Sequence, residues 1–340
     1  MKIILIGTTG AIRYSIELYK NLEKISNNKL NIQQYLCTGM PLIGSGLSFP
    51  IKTLFKNFNK YEIIHNLASY PFFPIFKNGI IITTIHEFQN ILYPELNLIQ
   101  EISIKDKLWD KLVVKPGITS AYSSDLVLAN SIQTKQEAIS IGIPKEKVYL
   151  TELGVDSRFL KAPNNPKKGK KLFKIGFIGT LSPRKNVLFL ISAFKKIPDK
   201  DIRLELWGKS IYPSKVITDA IGSDRRITWK GFAPESKFID IYDSFDVFAY
   251  PSLYEGFGLP ILEAKTRGLP VILYKNGKIS PEVRQDCFRV KDEDDFIDKV
   301  IELKLKGYNE KMQSRAVKNA SKFTWERTAM KTLEAYNSLV

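Results

Sequence analysis

Two parallel-sheet α/β halves of Rossmann type, facing each other across a ligand cleft, are the fold class the sequence predicts, on three observations. Short apolar runs rich in β-formers alternate with helical patterns. The alternation occurs twice. Between the two series lies "KAPNNPKKGKK", Lys161 to Lys171, a stretch of Pro, Asn and Lys with almost nothing to pack in a core. In open sheets of this kind, ligands bind outside the carboxyl ends of the strands.

In chain order, the first half offers strands at Lys2–Ile6, Gln33–Leu36, Glu62–His65, Ile80–Thr84, Leu126–Ala129 and Val148–Leu150. The second repeats the plan with Lys174–Ile178, Arg203–Leu206, Ile227–Lys230, Val247–Tyr250 and Val271–Leu273. Residues 1–160 are read as the first domain, 161–172 as the linker and 173–322 as the second domain, with the C-terminal helical segment 323–340 packing back on the first.

A chain of 340 residues is long enough for two domains with cores of their own. Two distant cysteines, Cys37 and Cys287, form neither a disulfide framework nor a CxxC pair, as expected in a reducing compartment. The apolar start "MKIILIGTTG" is too short for a signal-peptide core, and no run approaches the ~18 apolar residues of a spanning helix. A cytoplasmic protein is expected. With only two histidines, a zinc site of His and Cys is hard to build. The net charge of +16 is spread over both halves, with 18 Lys+Arg against 13 Asp+Glu up to Pro166 and 33 against 22 after it. Such a charge suits nucleic acid, an anionic membrane surface or phosphorylated small molecules. No zinc finger or RNA-binding aromatic motif supports the first.

The most informative stretch is "DVFAYPSLYEGFGLPILEA", Asp246 to Ala264. A buried strand ends near Tyr250, and Pro260 suits the first position of a helix, where its missing N–H is not needed. Pro251 to Gly258 is therefore a strand-to-helix loop, carrying Glu255, while Glu263 stands in the first helical turn or just beyond it. Gly256 and Gly258 let backbone N–H groups come close to a ligand directly before a helix N-terminus, an anion site by construction. The stretch reads as a phosphate cradle with a carboxylate at each end.

Together with "GAIRYSIELYKNL", "TTIHEF", "SDLVLANS", "ELGVD", "FIGTLSPRKN", "YPSLYEGFGLPILEAKTRGLPVI", "SPEV" and the terminal "FTWERTAMKTLEAY", this stretch resembles glycosyltransferase family 4 over nearly the whole chain. The stretch Asp246 to Ala264, with Glu255 and Glu263, is similar to that family's Glu-x7-Glu signature. The likeness implies a GT-B fold and a retaining, metal-independent transfer of a hexose from a UDP- or GDP-linked donor. By the same likeness Glu255 faces the donor sugar and the amides of Gly256, Phe257, Gly258 and Leu259 meet sugar and phosphate. Glu263 would hold the nucleotide ribose. Lys185 matches the family lysine on the diphosphate, Gly10 the first domain's glycine loop, and His86 a histidine at a strand end near the donor sugar.

Charge developing on a departing diphosphate must be met by fixed N–H dipoles and cations. The chain departs from the family pattern at Thr180, where arginine is usual after the strand glycine, so that Arg184 becomes the candidate second cation. Glu87 stands where aspartate commonly follows the histidine. His65 reads as structural. "KDEDDF", Lys291 to Phe296, holds Asp292-Glu293-Asp294, which a metal-dependent transferase would use; acidic capping of a helix starting at Phe296 explains it instead.

For the acceptor, "FPIKTLFKNFNKYE" places Ile51, Leu54, Phe55 and Phe58 on one face of an expected helix, with Lys52, Lys56 and Lys60 on another, a pattern that fits a membrane-surface helix. "SYPFFPIFK" adds aromatics nearby. With Arg13 and Tyr14 from the first helix, these lysines are the acceptor- or membrane-facing candidates. The expected function is hexosyl transfer to a saccharide or lipid-linked saccharide at the inner face of a membrane. Two other readings are a sugar-nucleotide epimerase of similar fold and a degenerate transferase that only binds a nucleotide or a partner.

Overall fold

The computed structural model describes residues 1–8, 12–27, 29–37, 44–97, 108, 110–161 and 172–339. Gly10 and most of the expected linker lie outside the described residues. The chain divides into two compact units: Met1–Pro94 with Gln100–Gly154 and Phe323–Val340, and Glu95–Ile99 with Val155–Lys322.

In the first unit six strands, β1 (Lys2–Thr8), β2 (Asn31–Cys37), β3 (Ile63–Asn66), β4 (Ile80–Ile85), β5 (Leu126–Ala129) and β6 (Val148–Leu150), form one parallel sheet in the order β2-β1-β3-β4-β5-β6. Strands covered on both faces must be apolar on both faces, and β1 is buried without a break from Ile3 to Thr8. Helices α1 (Ile12–Ile25), α2 (Gly44–Leu54), α3 (Lys115–Tyr122), α4 (Ile132–Ser140) and the C-terminal helix, numbered α11 below, belong to this unit. One core cluster joins Ile4, Ile6, Phe49, Phe58, Ile64 and Phe72, and another Ile85, Phe88, Val127, Ala129 and Ile143. Because β2 lies on one side of β1 and β3 to β6 on the other, the order reverses between β1 and β3, the place where such sheets open a crevice.

Two expectations for this unit are corrected. The helix of the acceptor segment does not run to Lys60: α2 ends at Leu54, and Phe58 is buried from the following loop, its N–H bonded to the Phe76 carbonyl at 2.8 Å. The expected apolar face is thereby split. Phe49 and Phe58 enter the core, while Ile51 and Phe55 remain 57% and 70% exposed. Tyr14 is buried rather than presented to a membrane. It lies on the inner stripe of α1 with Ser15, Leu18 and Leu22, and its hydroxyl is 3.1 Å from Thr84 Oγ1. A tyrosine buried in that stripe is retained only when its hydroxyl finds a partner.

The second unit repeats the plan with β7 (Phe173–Ile178), β8 (Ile202–Trp207), β9 (Ile227–Gly231), β10 (Val247–Tyr250), β11 (Val271–Tyr274) and β12 (Phe288–Val290), parallel in the order β12-β11-β10-β7-β8-β9. Here the order reverses between β7 and β10. Its helices are α5 (Val187–Lys195), α6 (Ser214–Ile221), α7 (Phe238–Ser244), α8 (Leu259–Thr266), α9 (Glu293–Lys306) and α10 (Glu310–Ala320). Helix α9 begins at Glu293 rather than Phe296, because Asp292 caps it by accepting the Asp295 N–H at 2.9 Å. The next and last helix, α11 (Trp325–Asn337), is back in the first unit, where Thr328 Oγ1 donates to the Glu152 carbonyl and Lys331 pairs with Glu152 at 2.6 Å.

Candidate functional site

At the carboxyl ends of β7 and β10 the second unit gathers three loops. After β7, Ser182 caps a short 3-10 turn, Pro183–Lys185, and the left-handed Asn186 then turns the chain into α5. After β10, the Leu253 N–H donates to the Arg184 carbonyl at 2.8 Å, while the Glu255 N–H and the Lys278 N–H tie that loop to the segment after β11. The turn so formed aims Lys185 at Glu255. The Lys185 ammonium sits 2.5 Å from Glu255 Oε1 and 2.7 Å from the Tyr250 hydroxyl, with Lys185 7% and Glu255 5% exposed.

Burial alone raises the Glu255 pKa. The Lys185 charge, then that of Arg184, more than reverses this and holds the carboxyl below its usual range, so it is a carboxylate at neutral pH. Tyr250, between the rings of Phe177 and Phe248, has its phenol pushed well above its ordinary value by burial and then by the Glu255 charge. It stays protonated, and its oxygen accepts from Lys185. Glu263, on the second turn of α8 and 2% exposed, accepts from the Tyr242 hydroxyl at 3.0 Å. The charges of both glutamates help to raise the Tyr250 phenol.

Between them, Gly258 caps α8 at φ +104°, where a Cβ would also crowd Ile261 and Val283. Only glycine fits, and the N-terminus of α8 is delivered next to the ion pair. Gly256 and Phe257 are buried and Leu259 and Pro260 half-buried in the same turn. Arg184 is half-buried, with Nη1 3.3 Å from the Tyr254 carbonyl, whereas Thr180 is exposed. Of the two, Arg184 therefore has the field on Glu255.

The first unit places His86 directly after β4. Its Nε2 is 2.9 Å from the Leu67 carbonyl, so Nε2 carries the proton and donates, and Nδ1 is left as an acceptor. Burial lowers its pKa against the opposing pull of the Leu67 carbonyl and Glu87, which keeps the ring neutral at pH 7. The Tyr14 ring stands edge-on to it at 4.9 Å. His65 is fully buried between Tyr336 and Thr84, at 2.6 and 2.7 Å, with its pKa lowered to about 3. Arg13 is half-buried in the first turn of α1. Lys52 and Lys56 are half-buried and Lys60 is exposed; Lys56 lies 3.9 Å above the Tyr35 ring and Lys60 5.1 Å from that of Tyr61.

Sequence reasoning missed Tyr250, Tyr242 and Asn130, whose amide donates to the His86 carbonyl. Tyr250 and Asn130 are strand-end residues, and their position one step from a motif residue was the available signal. Tyr242 comes from α7 and carried none.

Residues 158–323 match the family model described as glycosyl transferases group 1. The chain is 28% identical over 277 residues to O-antigen chain mannosyltransferase B of Escherichia coli, covering 76% of this chain and 70% of that protein. It is 27% identical over 192 residues to D-inositol 3-phosphate glycosyltransferase of Corynebacterium glutamicum, covering 49% and 43%. Among solved structures, HepE of Anabaena in complex with UDP aligns with a TM-score of 0.72 at 18% identity over 99% of this chain and all of that one. Sucrose-phosphate synthase of Thermosynechococcus elongatus aligns with a TM-score of 0.73 at 16% identity over 100% and 99%. At such identities these two similarities speak to the fold, which they show to be GT-B.

Proposed function

Residues 158–323 are a segment of the glycosyl transferases group 1 family, and from that premise we propose that the protein moves a hexose from a nucleotide-sugar donor, with retention and without a metal, to a saccharide or lipid-linked saccharide. The observation that carries the reading is the buried Lys185–Glu255 pair beside the Gly258-capped N-terminus of α8, at the strand-order reversal of the second sheet. Such a reversal is where nucleotides bind in sheets of this kind. The Lys185 ammonium, the Arg184 guanidinium and the α8 amides meet charge developing on the leaving diphosphate. Glu255, held ionised, faces the positive charge developing on the sugar. Glu263 takes the ribose hydroxyls. His86, neutral, accepts a hydrogen bond at Nδ1. With the cations supplied by the protein, no divalent ion is needed for the leaving group.

The relatives' names, among them an O-antigen chain mannosyltransferase, support a glycan-building role, and HepE is a UDP-bound neighbour. A lipid-linked acceptor at a membrane surface has its support in exposed apolar groups, Ile51, Phe55, Ile75 and Phe76, set among Lys52, Lys56, Lys60 and Lys77. Each lysine near an anionic surface is worth about 1 kcal/mol. Replacing Lys52, Lys56 and Lys60 by glutamate should then abolish sedimentation with phosphatidylglycerol vesicles while sparing donor hydrolysis; unchanged sedimentation removes the membrane part of the reading.

The test of the whole is a thermal-shift panel of UDP, GDP, UDP-glucose and GDP-mannose, followed by turnover in excess chelator. Stabilisation by one nucleotide and its sugar, with turnover that survives chelation, is expected. Activity that disappears in chelator and returns with manganese overturns metal independence.

A further inference from the structure

We propose that Asn130 is a positioning residue that holds His86 in a single orientation and tautomer. The inference rests on the proposed reading of His86 as the first unit's hydrogen-bond acceptor toward the substrate. Asn130 and His86 are the residues directly after β5 and β4, which pair Ala129 with Ile85, so the sheet register itself sets them side by side. The Asn130 amide donates to the His86 carbonyl at 2.9 Å. The His86 N–H approaches Ser69 Oγ at 3.3 Å, Nε2–H is bonded to the Leu67 carbonyl, and Tyr14 closes on the ring edge. Peptide and ring are thereby fixed from several sides, and Nδ1 is the atom presented.

Asn130 is 2% exposed, and its Oδ1 is buried with no hydrogen-bond partner among the described residues. An orphaned buried acceptor is destabilising. An aliphatic side chain at this position would remove that orphan, at the cost of the bond to the His86 carbonyl. The amide that stays has one bonded end, and that end is on His86. A side chain kept for packing would not show this one-sided satisfaction; one kept to fix a neighbouring backbone group does.

The decisive variant is Asn130→Leu, near in shape and lacking both the donor and the orphan. Since the chain contains only two histidines, a long-range proton–nitrogen spectrum of the imidazoles resolves both, and the His86→Ala protein assigns them. The wild type should show His86 as one pure Nε2–H tautomer. Asn130→Leu should average its two ring nitrogens and slow nucleoside diphosphate release from the preferred donor by tenfold or more, with donor KM within twofold. In a His86→Ala background the same change should have no further effect on rate. A single unaltered tautomer in Asn130→Leu, or a rate loss of the same size with His86 absent, overturns the proposal. If His86→Ala is slow but Asn130→Leu runs at the wild-type rate, the clamp alone fails. If His86→Ala itself runs at the wild-type rate, the catalytic reading of His86 fails and the clamp with it.

Discussion

At the strand-order reversal of the second unit the fold buries formal charges against one another, with Lys185 on Glu255 and the Arg184 charge acting on Glu255 and on the Tyr250 phenol. On β3 and directly after β4 the first unit buries imidazoles and takes their charge away: His65, on β3, is brought to about 3, and His86, after β4, is lowered as well. The same topology thus supports two opposite electrostatic solutions. What differs is the partner each strand-end side chain meets. In the second unit a cation from one loop reaches a carboxylate from another, so ionisation survives burial. In the first, the imidazoles are bonded to hydroxyls and a carbonyl, the pull of Glu87 on His86 does not reverse the effect of burial, and desolvation wins. A charged site suits a diphosphate leaving group. A neutral one suits recognition of hydroxyls.

Four measurements break or sharpen this contrast. Removing a well-placed donor from a site of developing charge typically costs 10²–10³ in turnover, and Lys185→Ala should fall in that range in single-turnover donor cleavage. It should also lower the melting temperature, because Glu255 is left buried without its cation. A wild-type rate here would end the donor-site assignment.

The next largest effect separates the two glutamates. Glu255→Gln should lower kcat with donor KM nearly unchanged. Glu263→Gln, which disturbs a contact made equally in ground and transition states, should raise donor KM and leave kcat close to wild type. Small, equal effects from both would reduce the Glu-x7-Glu loop to a turn.

Smaller again, Arg184→Ala should slow turnover by about tenfold, the loss of one partly exposed cation on the diphosphate, and adding Thr180→Arg should recover part of it. An Arg184→Ala enzyme at full rate would leave Lys185 as the sole working cation of the site.

The last measurement probes the neutral unit. Native His65 titrates near 3 and the unfolded imidazole near 6.5. Between these values the unfolded chain binds a proton that the native chain refuses. Stability is therefore full above pH 6.5 and falls as pH drops towards 3, by about 1.4 kcal/mol per unit at 25 °C. Urea midpoints across this window should show the slope in wild type and a shallower one in His65→Gln. Equal slopes would mean that His65 is not the group that resists protonation.

How much of this was legible in the sequence depends on how local the cause is. Most strands of both sheets were legible, those such as β1 and β10 because a strand covered on both faces must be a continuous apolar run; the short edge strand β12 (Phe288–Val290), only partly buried, was not among those expected. Gly258 and Pro260 were legible as the start of α8 because cap geometry is decided within four residues. The acceptor segment was misread from the same kind of evidence. Its period of three to four was real, but where α2 stops depends on Phe58 being drawn, with Phe49 of the same segment, into a core built by Ile64 and Phe72 from other stretches of the chain.

The sequence by itself determined the alternation of strands and helices, the glycine-proline turn and the identity of the groups available for chemistry. Each of these follows from backbone conformation or side-chain type over a few neighbouring residues. Only the tertiary structure decided that Lys185 meets Glu255, that the Arg184 charge reaches Glu255, that Tyr14 is interior and that the Asn130 amide meets the His86 carbonyl. Those outcomes depend on which strand lies beside which. Sheet order brings together residues separated by 44 positions, as in the Asn130–His86 bond, or by 70, as in the Lys185–Glu255 pair, and no local preference encodes an encounter at that range.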